Sequence, residues 1–356
     1  MSFRVASWPS ACDVNPYRSL FHAALAPFGV HCECDCHVND AWLNSHAAAI
    51  DAIHLHWPEP LWRERQGGWS APLRGVAGLT RYVRRAKRLG IKRIWTLHNV
   101  ESHEGASWID RIGYRVLASE SDLILCHSQS AAAMFRRKYR VGGSVVVMAH
   151  GNYDGVYPSP RPRQEVLRAC GLREDRPLLV AIGNLRDYKG FDLVADAARR
   201  LRPHVQFLIA GQPHAAFDIG PLRSAAAALE NLVLVDRQLT DQEFSDFVSA
   251  SEAVLLPYRK ITGSGALLAA WSLGRPVIGS DLDYFREVAA PEPAAARFFA
   301  VGDRDEFAGA ISAFLAEDPT VGRMSSRRIS EHFRWERCVQ PVAEVIGQWQ
   351  TGRCQR

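Results

Sequence analysis

The 356-residue chain has no uninterrupted apolar run of the roughly 18 residues that a membrane-spanning helix requires. Its first residues, MSFRVASWPSACDVNPY, show no basic segment followed by an apolar one, so no secretory leader is expected and a cytoplasmic location is inferred. A Walker P-loop, a complete Gly-x-Gly-x-x-Gly fingerprint and a Gly-x-Ser-x-Gly elbow are all missing, which removes the sequence signatures of P-loop nucleotidases, dinucleotide enzymes and α/β-hydrolases. Eight cysteines in a long chain do not read as a disulfide framework. Three of them, Cys32, Cys34 and Cys36, alternate, which in a strand puts the sulfurs on one face. A zinc site needs a turn between ligands, so strand packing is expected there and no metal is assigned. Neither a solenoid repeat nor a low-complexity segment is present.

What is present is an alternation of short apolar runs with helical patterns. Runs that read as strands include Phe3 to Ser7, Val30 to His37, Ala52 to Leu55, Arg93 to Leu97, Leu123 to Cys126 and Ser144 to Val147. The second half adds Leu178 to Ile182, Val205 to Ala210, Leu232 to Val235, Ala253 to Leu256 and Pro276 to Gly279. Helical spacing fills most of the intervals, as in Arg74 to Leu89, so parallel sheets covered by helices are expected. Three prolines interrupt the pattern between Tyr153 and Gln164, where a linker between two Rossmann-like domains is expected. The expected domains are residues 1–155, residues 164–332 and a terminal helix, 333–356, packing back on the first.

Charge divides unevenly. Through His150 there are 18 Lys and Arg against 12 Asp and Glu, while the remainder is nearly balanced. Much of the excess lies in RYVRRAKRLGIKR, Arg81 to Arg93. Two readings of that helix stay open, a solvated face and a surface for anionic lipid headgroups.

The densest chemistry lies between Leu178 and Asp283. A strand runs into a Gly-bearing turn carrying Gly183, Arg186 and Lys189, and a second strand–turn–helix follows with Tyr258, Ser264 and Gly265. Both turns would lie at the carboxyl ends of parallel strands, where open α/β sheets bind ligands. Two cations and a helix N-terminus suit a diphosphate.

These segments, with DAIHLHWPE, WTLHNVESHE and HGNYDGVYP in the first half, resemble GT-B glycosyltransferases, and family 4 in particular. The resemblance implies an α/β GT-B fold: two Rossmann-like domains facing a cleft, with the last helix crossing back to the first domain. It departs at two places. Asn184 follows Gly183 where the family has Arg, with Arg186 two positions later. Ile261 and Ala269 stand where retaining members carry two glutamates. The pattern is closer to the bacterial exopolysaccharide branch that includes the inverting β-mannosyltransferase of xanthan assembly.

The resemblance implies a hexosyltransferase whose donor is a nucleotide sugar, GDP-mannose or a UDP-hexose, and whose acceptor is a lipid-linked saccharide. No cofactor, metal or nucleic acid is implied. Gly183, Arg186, Lys189, Tyr258, Ser264 and Gly265 are the expected donor-binding residues. Inverting transfer needs a base for the acceptor hydroxyl, and His98, Glu101 and Glu104 are the candidates. Asn15, Tyr17, His56, Trp57, His150 and Tyr153 are expected on the acceptor side. Asp281-Leu282-Asp283 matches the metal motif of the other glycosyltransferase fold, and its setting marks it as coincidence. Three rival expectations are a retaining transferase, a sugar-nucleotide 2-epimerase and a silent GT-B subunit that binds a partner transferase.

Overall fold

The computed structural model describes residues 2–9, 16–63, 70–99 and 107–354. The chain divides into two compact units: residues 1–151 together with 335–356, and residues 152–334.

Unit 1 is built on six parallel strands: β1 (Phe3–Trp8), β2 (Val30–Asp35), β3 (Ala52–His56), β4 (Lys92–Leu97), β5 (Leu123–Cys126) and β6 (Ser144–Val147). Their order in the sheet is β2-β1-β3-β4-β5-β6. The chain winds outward in one direction from β1 and then in the other from β3, so the topological switch lies between β1 and β3. One sheet face buries Ile53, Leu55, Trp95 and Ile124 in an apolar core closed by Leu79, Tyr82, Val83 and Ala86 of the Ala71–Arg88 helix. Those four residues recur at three- and four-residue spacing, and the basic side chains of the same helix fall on its outer face. Two of them are paired, Arg81 with Asp40 and Arg84 with Glu120, while the buried Arg93 of β4 pairs with Asp122. From the far end of the chain, Trp335 and Trp349 return to this unit, where Trp349 meets Phe3 at 6.0 Å.

Unit 2 repeats the plan with β7 (Leu178–Ile182), β8 (Gln206–Ala210), β9 (Leu232–Val235), β10 (Ala253–Leu256), β11 (Val277–Ser280) and β12 (Ala296–Phe299). The order β12-β11-β10-β7-β8-β9 places its switch between β7 and β10. The central strands are buried on both faces, which is why they read as unbroken apolar runs.

Three sequence expectations change. The two-residue period of the alternating cysteines is interrupted, because the register slips at Glu33: Val5 pairs with Cys32 and Ala6 with Cys34, as at a bulge. Cys36 lies beyond β2 in the core, its sulfur 2.8 Å from the Tyr82 hydroxyl. The Tyr153–Gln164 stretch, read as a linker, packs on unit 2. There Tyr157 stacks on Phe244 and Arg161 pairs with the buried Asp246 at 2.8 Å. Strand β12 was not expected, since its ARFF sequence is short and flanked by helix formers.

Candidate functional site

In unit 2 the switch between β7 and β10 gathers the charged groups. Gly183 follows β7 with φ 111°, a conformation that favours glycine, and a Cβ there would sit 2.9 Å from Lys189 Nζ. Gly190 ends the turn at φ 69°, where any Cβ would collide with the Pro257 carbonyl oxygen at 2.0 Å. The two glycines thus let the loop after β7 close against the loop after β10, with Lys189 folded inward between them.

Lys189 is 9% exposed and has no carboxylate partner among the described residues. Burial, helped by the nearby Arg186 guanidinium, pulls its ammonium down to about 8. Its Nζ lies 5.6 Å from the centre of the Tyr258 ring. The Tyr258 hydroxyl in turn bonds the side chain of Ser264.

Ser264 caps the Gly265–Ser272 helix, its Oγ accepting from the Leu267 N–H at 3.2 Å while its own N–H donates to the Tyr284 hydroxyl at 3.1 Å. A Cβ on Gly265 would come within 2.8 Å of the Tyr153 hydroxyl. Tyr153 also donates its backbone N–H to Ser272 Oγ at 2.8 Å. Expected on the acceptor side, Tyr153 therefore sits with the donor group, because the Tyr153–Gln164 stretch belongs to unit 2. The result is a buried ammonium, a guanidinium and a helix N-terminus at one strand edge, an arrangement suited to a phosphate ester.

Unit 1 presents a different chemistry at its carboxyl edge. His56 ends β3, His98 follows β4, His127 follows β5, and His150 lies three residues beyond β6. The four strands are neighbours, so the imidazoles form a row. Tyr17, first residue of the Tyr17–Leu25 helix, is set against that row, with ring centroids 5.8 Å from His56, 4.9 Å from His98, 5.4 Å from His127 and 4.9 Å from His150. Trp335 faces Tyr17 at 5.2 Å. Trp57 stacks on His98 at 4.0 Å with nearly parallel planes, and holds φ 39°, a backbone conformation that costs a bulky residue energy and clusters at functional sites. His56 Nδ1 and His98 Nε2 are 3.2 Å apart.

Every imidazole in this row is held neutral. Burial is the leading cause, lowering His127 to about 4 and His150 to about 3 and carrying His56 and His98 well below the ordinary range. The neighbouring rings add to the effect at His56, His98 and His150. A neutral imidazole accepts a proton, and His98, half-buried at the strand end, has the form a general base needs.

Glu101, Glu104 and Asn15 lie outside the described residues. His22, His127 and Trp335 were not singled out from the sequence, although they join the same ring cluster. The signal was legible: four consecutive strands each have a histidine at their end or within three residues beyond it. Trp62 proves to be core, fully buried with its Nε1–H donated to Asp110 at 2.8 Å. Asp281 of the Asp-x-Asp pair is engaged by Arg286.

Two parallel six-stranded α/β units, each with ligand-suited groups at its switch point, define the GT-B class of glycosyltransferase fold. Sucrose-phosphate synthase from Thermosynechococcus elongatus superposes with a TM-score of 0.73 at 15% identity, covering 98% of this chain and 100% of that one. Anabaena HepE in complex with UDP and glucose gives 0.71 at 14% identity, covering 97% and 100%. Residues 176–317 match the Glycosyl transferases group 1 family. Among named relatives, the GDP-mannose:glycolipid 4-beta-D-mannosyltransferase of Xanthomonas campestris pv. campestris is 26% identical over 236 residues. That alignment covers 64% of this chain and 60% of the relative's length.

Proposed function

We propose that the protein is a hexosyltransferase that moves a sugar, mannose from GDP-mannose in the best reading, to a lipid-linked saccharide with inversion at the anomeric carbon. The observation that carries this reading is Lys189. An ammonium buried without a carboxylate is costly unless a ligand supplies the opposite charge, and Lys189 sits beside Arg186 in the domain that matches the transferase family. Departure of a nucleoside diphosphate leaves negative charge on the oxygen that had bonded the sugar. Lys189, Arg186 and the N–H groups at the start of the Gly265–Ser272 helix are placed to stabilise it. In unit 1, His98 takes the acceptor hydroxyl proton, and Tyr17 with Trp57 offers ring faces to a sugar.

The choice of mannose follows the Xanthomonas relative, and inversion follows the apolar Ile261 and Ala269. Ala269 is buried in the Gly265–Ser272 helix, where no carboxylate can reach a ribose. A cytoplasmic location on the inner membrane face completes the reading, supported by the exposed Lys87 and Arg88 left on the Ala71–Arg88 helix after its other ion pairs are made.

The test is a thermal-shift panel of GDP, UDP and ADP with their common hexose conjugates, followed by product stereochemistry by NMR. A ligand that binds only the folded state raises the melting temperature by mass action. A selective shift with GDP-mannose and a β-linked product support the reading, whereas an α-linked product makes the enzyme retaining. Donor binding without turnover favours the silent subunit, which the missing glutamates also fit.

A further inference from the structure

Beside the row of strand-end histidines, and sharing His56 with it, lies a second group of imidazoles. His54 and His56 alternate on β3 and so project from one face of the strand, their ring centroids 4.0 Å apart. His22, from the Tyr17–Leu25 helix that covers this face, approaches them at 5.6 and 6.3 Å between centroids with its plane nearly perpendicular to both. One nitrogen from each of the three rings lies within 4.8 Å of the other two, and all three residues are buried.

Hydrogen bonding divides the nitrogens into two kinds. His54 Nε2 lies 2.8 Å from Thr96 Oγ1, and His56 Nδ1 lies 3.2 Å from His98 Nε2. These outward contacts fix the rings from behind, as the outer partners of metal-ligating histidines do. The inward atoms are a different matter. His56 Nε2 and both ring nitrogens of His22 are buried with no hydrogen-bond partner among the described residues. Ser7, the register neighbour of His54 on β1, adds a buried hydroxyl in the same condition. Unpaired polar atoms of this kind each cost free energy, and four in one place call for a ligand.

We infer that His22, His54 and His56 form a tris-imidazole site for a divalent transition metal of the zinc class, with a fourth position open to water beside Ser7. An i, i+2 histidine pair on a strand with a third imidazole from another element supplies the three-nitrogen donor set that zinc accepts in tetrahedral geometry. Zn–N bonds of about 2.0–2.1 Å place ligand nitrogens roughly 3.4 Å apart, within the 4.8 Å that bounds the three nitrogens here, so loading requires the rings to readjust. Arg18, the cation whose field reaches all three rings, is paired with Asp35 at 2.9 Å. A metal here would tie the Tyr17–Leu25 helix to β3, and the inference stands independently of the transferase reading.

The test uses the full chain, stripped with a chelator and titrated with Co2+ while visible d–d absorption is followed, with Zn2+ as competitor. The expected result is one equivalent bound with the intense bands of tetrahedral cobalt, displaced by Zn2+. His54→Ala and His22→Phe should each raise the dissociation constant by more than about a hundredfold, beyond what loss of an outer partner does. His127→Ala, which removes an imidazole of the same cluster but outside the triad, should keep one equivalent. Melting curves establish that each variant is folded. Failure of the folded wild-type chain to bind Co2+ overturns the inference, as does equal loss of binding in His127→Ala.

Discussion

At the carboxyl edge of β7 and β10 the functional groups are a buried ammonium, a guanidinium and a capped helix start, held together by two glycines. At the carboxyl edge of β3 to β6 they are neutral imidazoles packed edge-on around one tyrosine. The same sheet plan with the same kind of switch point thus supports opposite electrostatics. In unit 2 Lys189 is buried with no carboxylate partner among the described residues, which suits a ligand that brings negative charge. At the unit 1 edge the imidazoles are held neutral, which suits a neutral hydroxyl.

The sharpest test of this contrast is to remove the chemistry of unit 1 without touching its packing. His98→Gln should lower kcat by about 10²–10⁴, the range for loss of a general base, while donor-induced thermal shifts stay unchanged. A kcat within a few-fold of wild type would transfer the role to another residue.

In unit 2, Lys189→Met should lower kcat/KM by about 10²–10³ and erase the donor-induced shift. Its melting temperature should equal or exceed that of the wild type, because an apolar chain of similar length replaces a buried unpaired charge. A variant that loses activity together with several degrees of stability would make Lys189 a structural residue instead.

Titration should separate the units further. Unfolded imidazoles titrate near 6.5, whereas burial holds His22 and His150 at about 3 and His127 at about 4 in the folded chain. Between those values the unfolded state binds more protons, so the stability of unit 1 is complete above about pH 6.5 and declines as the pH falls toward 4. Lys189 acts at the other end. Its folded value of about 8 lies below the unfolded 10.5, so the penalty of burying its charge is full below pH 8 and is relieved as the pH rises toward 10.5. Hydrogen exchange resolved by unit should show unit 1 opening first in acid. Simultaneous opening of both units, or prior opening of unit 2, would remove the contrast.

The smallest effect is expected at the cap. Ser264→Ala should cost about 1 kcal/mol through the lost bond to the Leu267 N–H and weaken donor binding only modestly. Loss of donor binding comparable to that of Lys189→Met would instead mean that the hydroxyl contacts the ligand itself.

Much of this arrangement was legible in the chain before folding. Strand-length apolar runs, helical spacing and glycines in the two loops of unit 2 are local properties; Gly183, Arg186 and Lys189 sit close enough along the sequence to read as one motif, and Ser264 with Gly265 as a second. The unit 1 cluster was harder to see because its members are spread from Tyr17 to Trp335. His127 and His22 looked like ordinary residues of a strand end and a helix face. Tyr153 was misplaced for the related reason that a proline-rich stretch gives no sign of the unit on which it will pack.

By itself, then, the sequence determined the α/β alternation, the buried strands and the cationic turn after β7, since each depends on residues within a few positions of one another. Only the tertiary structure decided that the ends of four strands, at residues 56, 97, 126 and 147, would align their histidines in one row. It also decided that a tryptophan from the last helices would close on Tyr17, and that His22 would meet His54 and His56. Those outcomes depend on strand order and register, which are set by how whole elements bury their apolar faces against one another and not by any single stretch of chain.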